Sequence, residues 1–234
     1  MKVLVINGSP RKNRGATGVI LTYFEEGMKV ANAEVETIFS KGLDLGECRG
    51  CFNCWNSTPG KCIQDDEMAP VLEKIANADL VVIATPVYVD GMTGSLKTLL
   101  DRTIPLLHGA FELRDDHCRH ALRENVKPGK LALLSVCGFT EMDNFDPLVA
   151  HVKAISKNMN REFLGSVLRP YAWIIDPAQK QGADLRDILE AVREAGHQLV
   201  SDGKMDQETL ATIAREIIPR DQVIQIMQES FGDK

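Results

Sequence analysis

Short, unbroken runs of β-branched and other apolar residues recur along the chain, and each gives way to a stretch with helical spacing. Val3-Leu4-Val5-Ile6 opens the pattern, and Leu80-Val81-Val82-Ile83-Ala84 repeats it in its clearest form. A run that is apolar at every position must be covered on both faces, as in a strand inside a parallel sheet with helices on either side. Ala16–Val30 supplies one such helix, with Val19, Ile20, Tyr23, Phe24 and Met28 at the required period.

Strands are expected over Lys2–Asn7, Glu34–Phe39, Leu80–Ala84, Lys130–Cys137 and Val167–Ile175, the last interrupted or offset by Pro170. Between and after them, helices are expected over Ala16–Val30, Asp66–Ala76, Ser95–Thr103, Phe145–Asn158 and Leu185–Leu199. Five alternations of this kind predict a doubly wound α/β domain with right-handed crossovers. In Glu34–Phe39 the residues Val35, Thr37 and Phe39 share a face opposite Glu34 and Glu36, while Ile38 breaks the alternation, a pattern that suits a strand near the sheet edge. Residues 41–64 form a long cysteine-bearing loop. Pro105–Gly129 is a polar excursion with one short helix expected around Asp116–Glu124. The domain is expected to span residues 1–200. Beyond Ser201-Asp202-Gly203, two short helices over Gln207–Ile218 and Asp221–Phe231 make a C-terminal extension, residues 201–234. It either caps the domain or forms an arm against another subunit or over a cofactor.

A formal charge of −6 with no basic tract argues against nonspecific nucleic-acid binding. No apolar stretch approaches the roughly 20 residues that cross a bilayer. The four-residue apolar run after Met1-Lys2 is too short for a targeting core, so no membrane insertion and a cytoplasmic location are expected. In that reducing setting, crowded cysteines favour metal ligation or thiol chemistry over disulfides. Cys48, Cys51, Cys54 and Cys62 are crowded in this way, as C-x2-C-x2-C-x7-C. Four thiolates suit an iron–sulfur cluster or zinc, and free redox or structural thiols are the remaining reading. Asp65, Asp66 and Glu67 follow closely, and would add negative charge beside Cys62. Cys118 between His117 and His120 is a weaker metal signal, and a solvated helix face explains it better. Trp55 is expected to pack the cysteine loop or line a cofactor pocket.

Gly8-Ser9-Pro10-Arg11-Lys12-Asn13-Arg14-Gly15-Ala16-Thr17 leaves the first strand and opens a helix. Exposed N–H groups at a helix start can surround a phosphate, with Ser9 and Thr17 adding hydroxyl donors. The loop lacks Gly-Lys-Ser/Thr and G-x-G-x-x-G, so neither a nucleoside triphosphate nor a dinucleotide is indicated here. No Gly-x-Ser-x-Gly elbow or His-Glu-x-x-His motif occurs either.

With Thr85-Pro86-Val87-Tyr88 and Ser135-Val136-Cys137-Gly138-Phe139, this loop resembles the flavodoxin-like NAD(P)H-dependent FMN reductases and, within them, the iron–sulfur flavoproteins. The resemblance covers about Met1 to Ile175. It implies a five-stranded parallel sheet of order 2-1-3-4-5 and FMN held by Ser9, Arg11, Asn13, Thr17, Thr85, Pro86, Val87, Tyr88, Gly91, Cys137 and Gly138. It also implies that Cys48, Cys51, Cys54 and Cys62 are candidate ligands of a [4Fe–4S] cluster. The expected activity is electron transfer from NAD(P)H through FMN to a quinone or other small acceptor, with the cluster as a further relay. A ferredoxin-like donor is the alternative to NAD(P)H, and a non-catalytic electron carrier between protein partners is the alternative function. An FMN-free thiol or metal-binding regulatory module is a third. Homodimers or homotetramers are expected by the same resemblance.

Overall fold

The computed structural model describes residues 1–232, so the last two residues of the expected extension lie outside the described residues. In chain order it places β1 (Lys2–Asn7), α1 (Ala16–Val30), β2 (Glu34–Phe39), α2 (Met68–Asn77), β3 (Leu80–Pro86) and α3 (Gly94–Asp101). A hairpin of β4 (Leu107–Arg114) and β5 (His117–Leu122) follows. Then come β6 (Gly129–Val136), α4 (Asp146–Asn158), β7 (Arg161–Arg169), α5 (Ile175–Lys180), α6 (Arg186–Ser201), α7 (Gln207–Ala214) and α8 (Arg220–Phe231).

The main sheet runs β2-β1-β3-β6-β7, all parallel, which is the expected 2-1-3-4-5 order of five strands. Its apolar runs divide by parity, because successive side chains point to opposite faces. Val3, Val5, Leu80, Val82, Ala132 and Leu134 pack beneath α1 and α6. Leu4, Ile6, Val81, Ile83, Leu131 and Leu133 pack beneath α2, α3 and α4. Each continuous run is therefore two alternating sets, one for each helical layer. β2 lies at the edge, and Ile38 breaks its alternation because that side chain packs into the α2 layer while Val35 packs under α1.

Helices α1 and α6 touch backbone to backbone. A Cβ placed on Gly27 would fall 1.8 Å from the Arg193 carbonyl oxygen, and one on Gly196 would fall 2.1 Å from that of Phe24. Only glycine permits such an approach.

Three expectations are corrected. The 105–129 excursion holds an antiparallel hairpin, not a helix at Asp116–Glu124. Asp115 and Asp116 both take positive φ between the paired Arg114 and His117, as a two-residue type I′ turn requires. The fifth main-sheet strand starts at Arg161, and Pro170 ends it without interrupting it. Ile175, expected to close that strand, opens a short helix over Ile175–Lys180 instead. The extension packs on α6 and β7, with Ile213 and Val223 buried in the α1/α6 core.

Candidate cofactor site and cysteine loop

Three loops leave the carboxyl ends of adjacent strands β1, β3 and β6, where an open α/β sheet receives its ligand. Hydrogen bonds tie them to one another. Gly8 N donates to the Ala84 carbonyl at 2.7 Å, and Thr93 Oγ1 donates to the Gly8 carbonyl at 2.7 Å. Ser135 Oγ donates to the Thr85 carbonyl at 2.8 Å, and Val87 N to that of Val136 at 2.8 Å.

In the first loop Ser9 and Thr17 are buried while Arg11 and Asn13 are exposed. Asn7 accepts from Ser9 N through Oδ1 at 2.8 Å, which leaves its buried Nδ2 without a partner. No side chain caps the start of α1, so its first N–H groups stay available to an anion. In the second loop Thr85 is buried, Pro86 and Val87 are half-buried, and Tyr88 is 49% exposed. Tyr88 and Gly91 exchange backbone hydrogen bonds around Val89 and Asp90, both at positive φ. Val89 at that turn is 99% exposed. In the third loop Cys137 is buried and Gly138 exposed, with open space around the glycine. Burial pushes the Cys137 thiol up, against the hydrogen bonding it makes with Phe139.

Donors for a phosphate and an open apolar ledge for a flat ring thus share one edge of the sheet, and this donor set fits FMN.

Residues just beyond β7 brace the third loop, a role no motif in the sequence announces. Cys137 N donates to the Arg169 carbonyl and Tyr171 N to that of Phe139, while Trp173 Nε1 reaches the Gly138 carbonyl at 3.0 Å. Tyr171 is fully buried at φ +32°, and its hydroxyl accepts from Ile217 N, beyond α7. The buried Arg169 guanidinium lies over the Tyr171 ring at 4.9 Å and donates to the Ile213 and Arg215 carbonyls. Burial holds its pKa below the usual guanidinium range.

The cysteine loop lies elsewhere. Cys48, Cys51, Cys54 and Cys62 line one cavity of about 20 Å³, to which none of the three strand-end loops contributes. Gly50 and Gly60 take positive φ at the turns between them. None of the four is in a disulfide. Burial, followed by the neighbouring Cys62, pushes the Cys54 thiol up, whereas hydrogen bonding from Asn53 holds exposed Cys51 below the usual range. Four thiols on one cavity match the donor chemistry of a cluster. Yet among the described residues no group of three or more His, Cys, Asp or Glu side chains stands in position to hold a metal ion.

Beside Cys62 an arginine pairs with one carboxylate of the acidic run, so part of the expected negative charge is neutralised there. Arg102, buried at the end of α3, donates to Cys62 Sγ at 3.4 Å and forks onto Asp66 at 2.7 and 3.0 Å. Burial, the largest single influence, raises the Asp66 carboxyl, but the Arg102 hydrogen bonds, those from Met68 N and Gly46 N and the Arg102 charge together outweigh it and hold the carboxyl below its usual range. Trp55 fastens the loop to the hairpin, donating to the Ile104 carbonyl at 2.9 Å and packing on His120 at 4.6 Å. His117, Cys118 and His120 lie on strand β5 rather than on a helix face.

Residues 1–117 match the family described as NADPH-dependent FMN reductase. An iron–sulfur flavoprotein of Archaeoglobus fulgidus is 40% identical over 115 residues, covering 49% of this chain and 55% of that one. One from Methanosarcina thermophila is 32% identical over 115 residues, 49% of this chain and 59% of its own. The chain thus spans a little over half the length of these relatives. Among solved structures, an FMN-dependent NADH-azoreductase from Bacillus anthracis superposes with a TM-score of 0.63 at 17% identity, covering 86% of this chain and 99% of that one. At that identity the likeness speaks for the fold. With the family match across half its length and the expected strand order, this chain belongs to the flavodoxin-like family of NADPH-dependent FMN reductases.

Proposed function

We propose that this chain is an FMN-dependent oxidoreductase that takes electrons from NAD(P)H and delivers them to a quinone or another small acceptor. The observation that carries the reading is the buried, unpartnered Asn7 amide beside the uncapped start of α1, on the same sheet edge as the open Tyr88 and Gly138 loops. FMN, when bound, supplies hydride acceptance and its return as electrons; the protein supplies binding and polarity.

On this reading Ser9, Thr17 and the first N–H groups of α1 hold the phosphate, with Arg11 and Asn13 closing over it from the solvent side. Thr85, Pro86, Val87, Tyr88 and Gly91 form one wall of the ring site, and Cys137 and Gly138 the other. In these walls the Val87, Tyr88, Gly91 and Cys137 N–H groups already donate to protein carbonyls, and among the described residues the Gly138 N–H is the one left to stabilise negative charge that develops on the ring. The half-exposed Tyr88 ring offers a stacking face for the nicotinamide. Exposed apolar Tyr88, Val89 and Phe139 crowd this edge, which supports a homodimer or homotetramer in which a second subunit covers the site. Residues 1–200 then form the FMN-binding unit, and 201–234 the extension that braces its last loop.

We infer further that Cys48, Cys51, Cys54 and Cys62 hold a [4Fe–4S] cluster. The support is their shared cavity and the likeness of this chain to iron–sulfur flavoproteins. An electron carrier without a small-molecule acceptor is the second reading, favoured by the same loop.

Anaerobic purification, an absorption spectrum and iron and sulfide analysis test all of this. About one FMN per chain is expected, with NAD(P)H-driven quinone reduction, and Ser9→Ala/Thr17→Val should keep its circular dichroism and lose most of the FMN. Protein that stays colourless when FMN is supplied overturns the flavin reading. Flavin that NAD(P)H reduces slowly, with no quinone turnover, favours the carrier. About four iron and four sulfide per chain support the cluster; neither, even after reconstitution, leaves free thiols.

A further inference from the structure

A second cavity, of about 530 Å³, lies on the α2/α3/α4 face of the sheet. None of its lining belongs to the three strand-end loops, and it shares only Ile104 with the cysteine cavity. Its floor is sheet surface, with Ile83 and Leu131; Leu100 of α3 and Ile155 of α4 form the walls. The β4–β5 hairpin arches over it as a roof, together with Trp55.

We propose that this cavity binds a planar aromatic carboxylate of one or two fused rings. Its volume falls in the range of small-molecule sites, which are mostly apolar with a few convergent polar groups. The roof carries aromatic surface, with the His120 ring 4.6 Å from Trp55 and 5.1 Å from Phe111. Flat rings gain most from such neighbours.

One cationic group at this roof calls for an anion, and a ring nitrogen beside it lacks a partner among the described residues. The Arg119 guanidinium donates to the neutral Asn158 Oδ1 at 2.5 Å, and among the described residues no carboxylate pairs with it. Neighbouring His120 has a buried Nδ1 with no hydrogen-bond partner. By contrast the Lys97 ammonium is already matched by Asp101 at 2.6 Å. A carboxylate fits the planar, multi-donor guanidinium. An uncharged hydrocarbon would leave Arg119 unused.

The test is titration calorimetry of the FMN-loaded protein with 2-naphthoate, set against neutral 2-naphthalenemethanol. One saturable site per chain is expected, with naphthoate bound at least tenfold more tightly than the alcohol. Arg119→Gln, on the half-exposed hairpin, should weaken naphthoate at least tenfold while leaving the alcohol unchanged. Ile155→Trp, which fills the cavity, should abolish both; if that variant does not fold, the Arg119→Gln comparison decides alone. No saturable binding up to millimolar ligand overturns the proposal. So does equal affinity in Arg119→Gln, or release of FMN in step with naphthoate uptake, which would put the ligand in the flavin site.

Discussion

At the scale of single residues, two positions show a local choice made against the usual preference or in favour of it. Val89 is β-branched yet sits at φ +47°, and its side chain is almost wholly in solvent. The left-handed region costs an L-residue about 1–2 kcal/mol, which asparagine largely avoids. Val89→Asn should therefore raise the chain's own stability by about 1 kcal/mol in urea unfolding, and weaken self-association in sedimentation if the apolar side chain meets a second subunit. Asp79 shows the opposite case. Its carboxylate is held below the usual range first by the Lys127 ammonium and then by Lys2 N at 2.7 Å. A depressed folded pKa gives stability that is present above the unfolded value and lost as pH falls through the folded one. Asp79→Asn should cost about 1 kcal/mol at neutral pH, after allowance for its partial exposure. Denaturation curves of the two proteins should converge in acid, once the wild-type carboxyl is protonated.

At the scale of elements, the α1–α6 crossing leaves no room for a side chain at Gly27 or Gly196. Gly196→Ala should lower the melting temperature, with overpacking of about 1–3 kcal/mol as the magnitude to look for by calorimetry. The same close approach was invisible beforehand, since nothing in Gly27 or Gly196 says which helix will come near. The main-sheet strands were legible because full coverage on both faces writes itself as continuous apolar runs such as Leu80–Ala84. The hairpin was not. Its strands carry Glu112, Arg114, His117 and Arg119 among their apolar residues, so no clean alternation survives. The one signal that could have found it was Asp115-Asp116, a pair that tolerates the two positive φ values of a tight turn. The candidate cofactor edge could be read from Gly8–Thr17 and Thr85–Tyr88, because strand-end loops are local. Asn7 was passed over as a strand residue, and Arg102 beside Cys62 depends on a contact 40 positions away.

At the scale of the whole molecule, residues far apart in sequence support one loop. The Gly138 segment rests on Tyr171, and Tyr171 rests on Ile217 N. Tyr171→Phe removes only the acceptor, so it should cost about 1 kcal/mol of stability. On the proposed function it should also loosen FMN severalfold in a fluorescence titration. Ile224→Ala, at an exposed position of α8, should change neither. This arrangement also sets an order of events during synthesis. On the proposed function, the Gly8–Thr17 loop leaves the ribosome some 200 residues before Ile217 does, so a nascent chain would offer half a flavin site long before it could close the other half. Cofactor capture would then be a late step of biogenesis, and a chain cut short within α7 would be delivered to the cell's proteases as apoprotein.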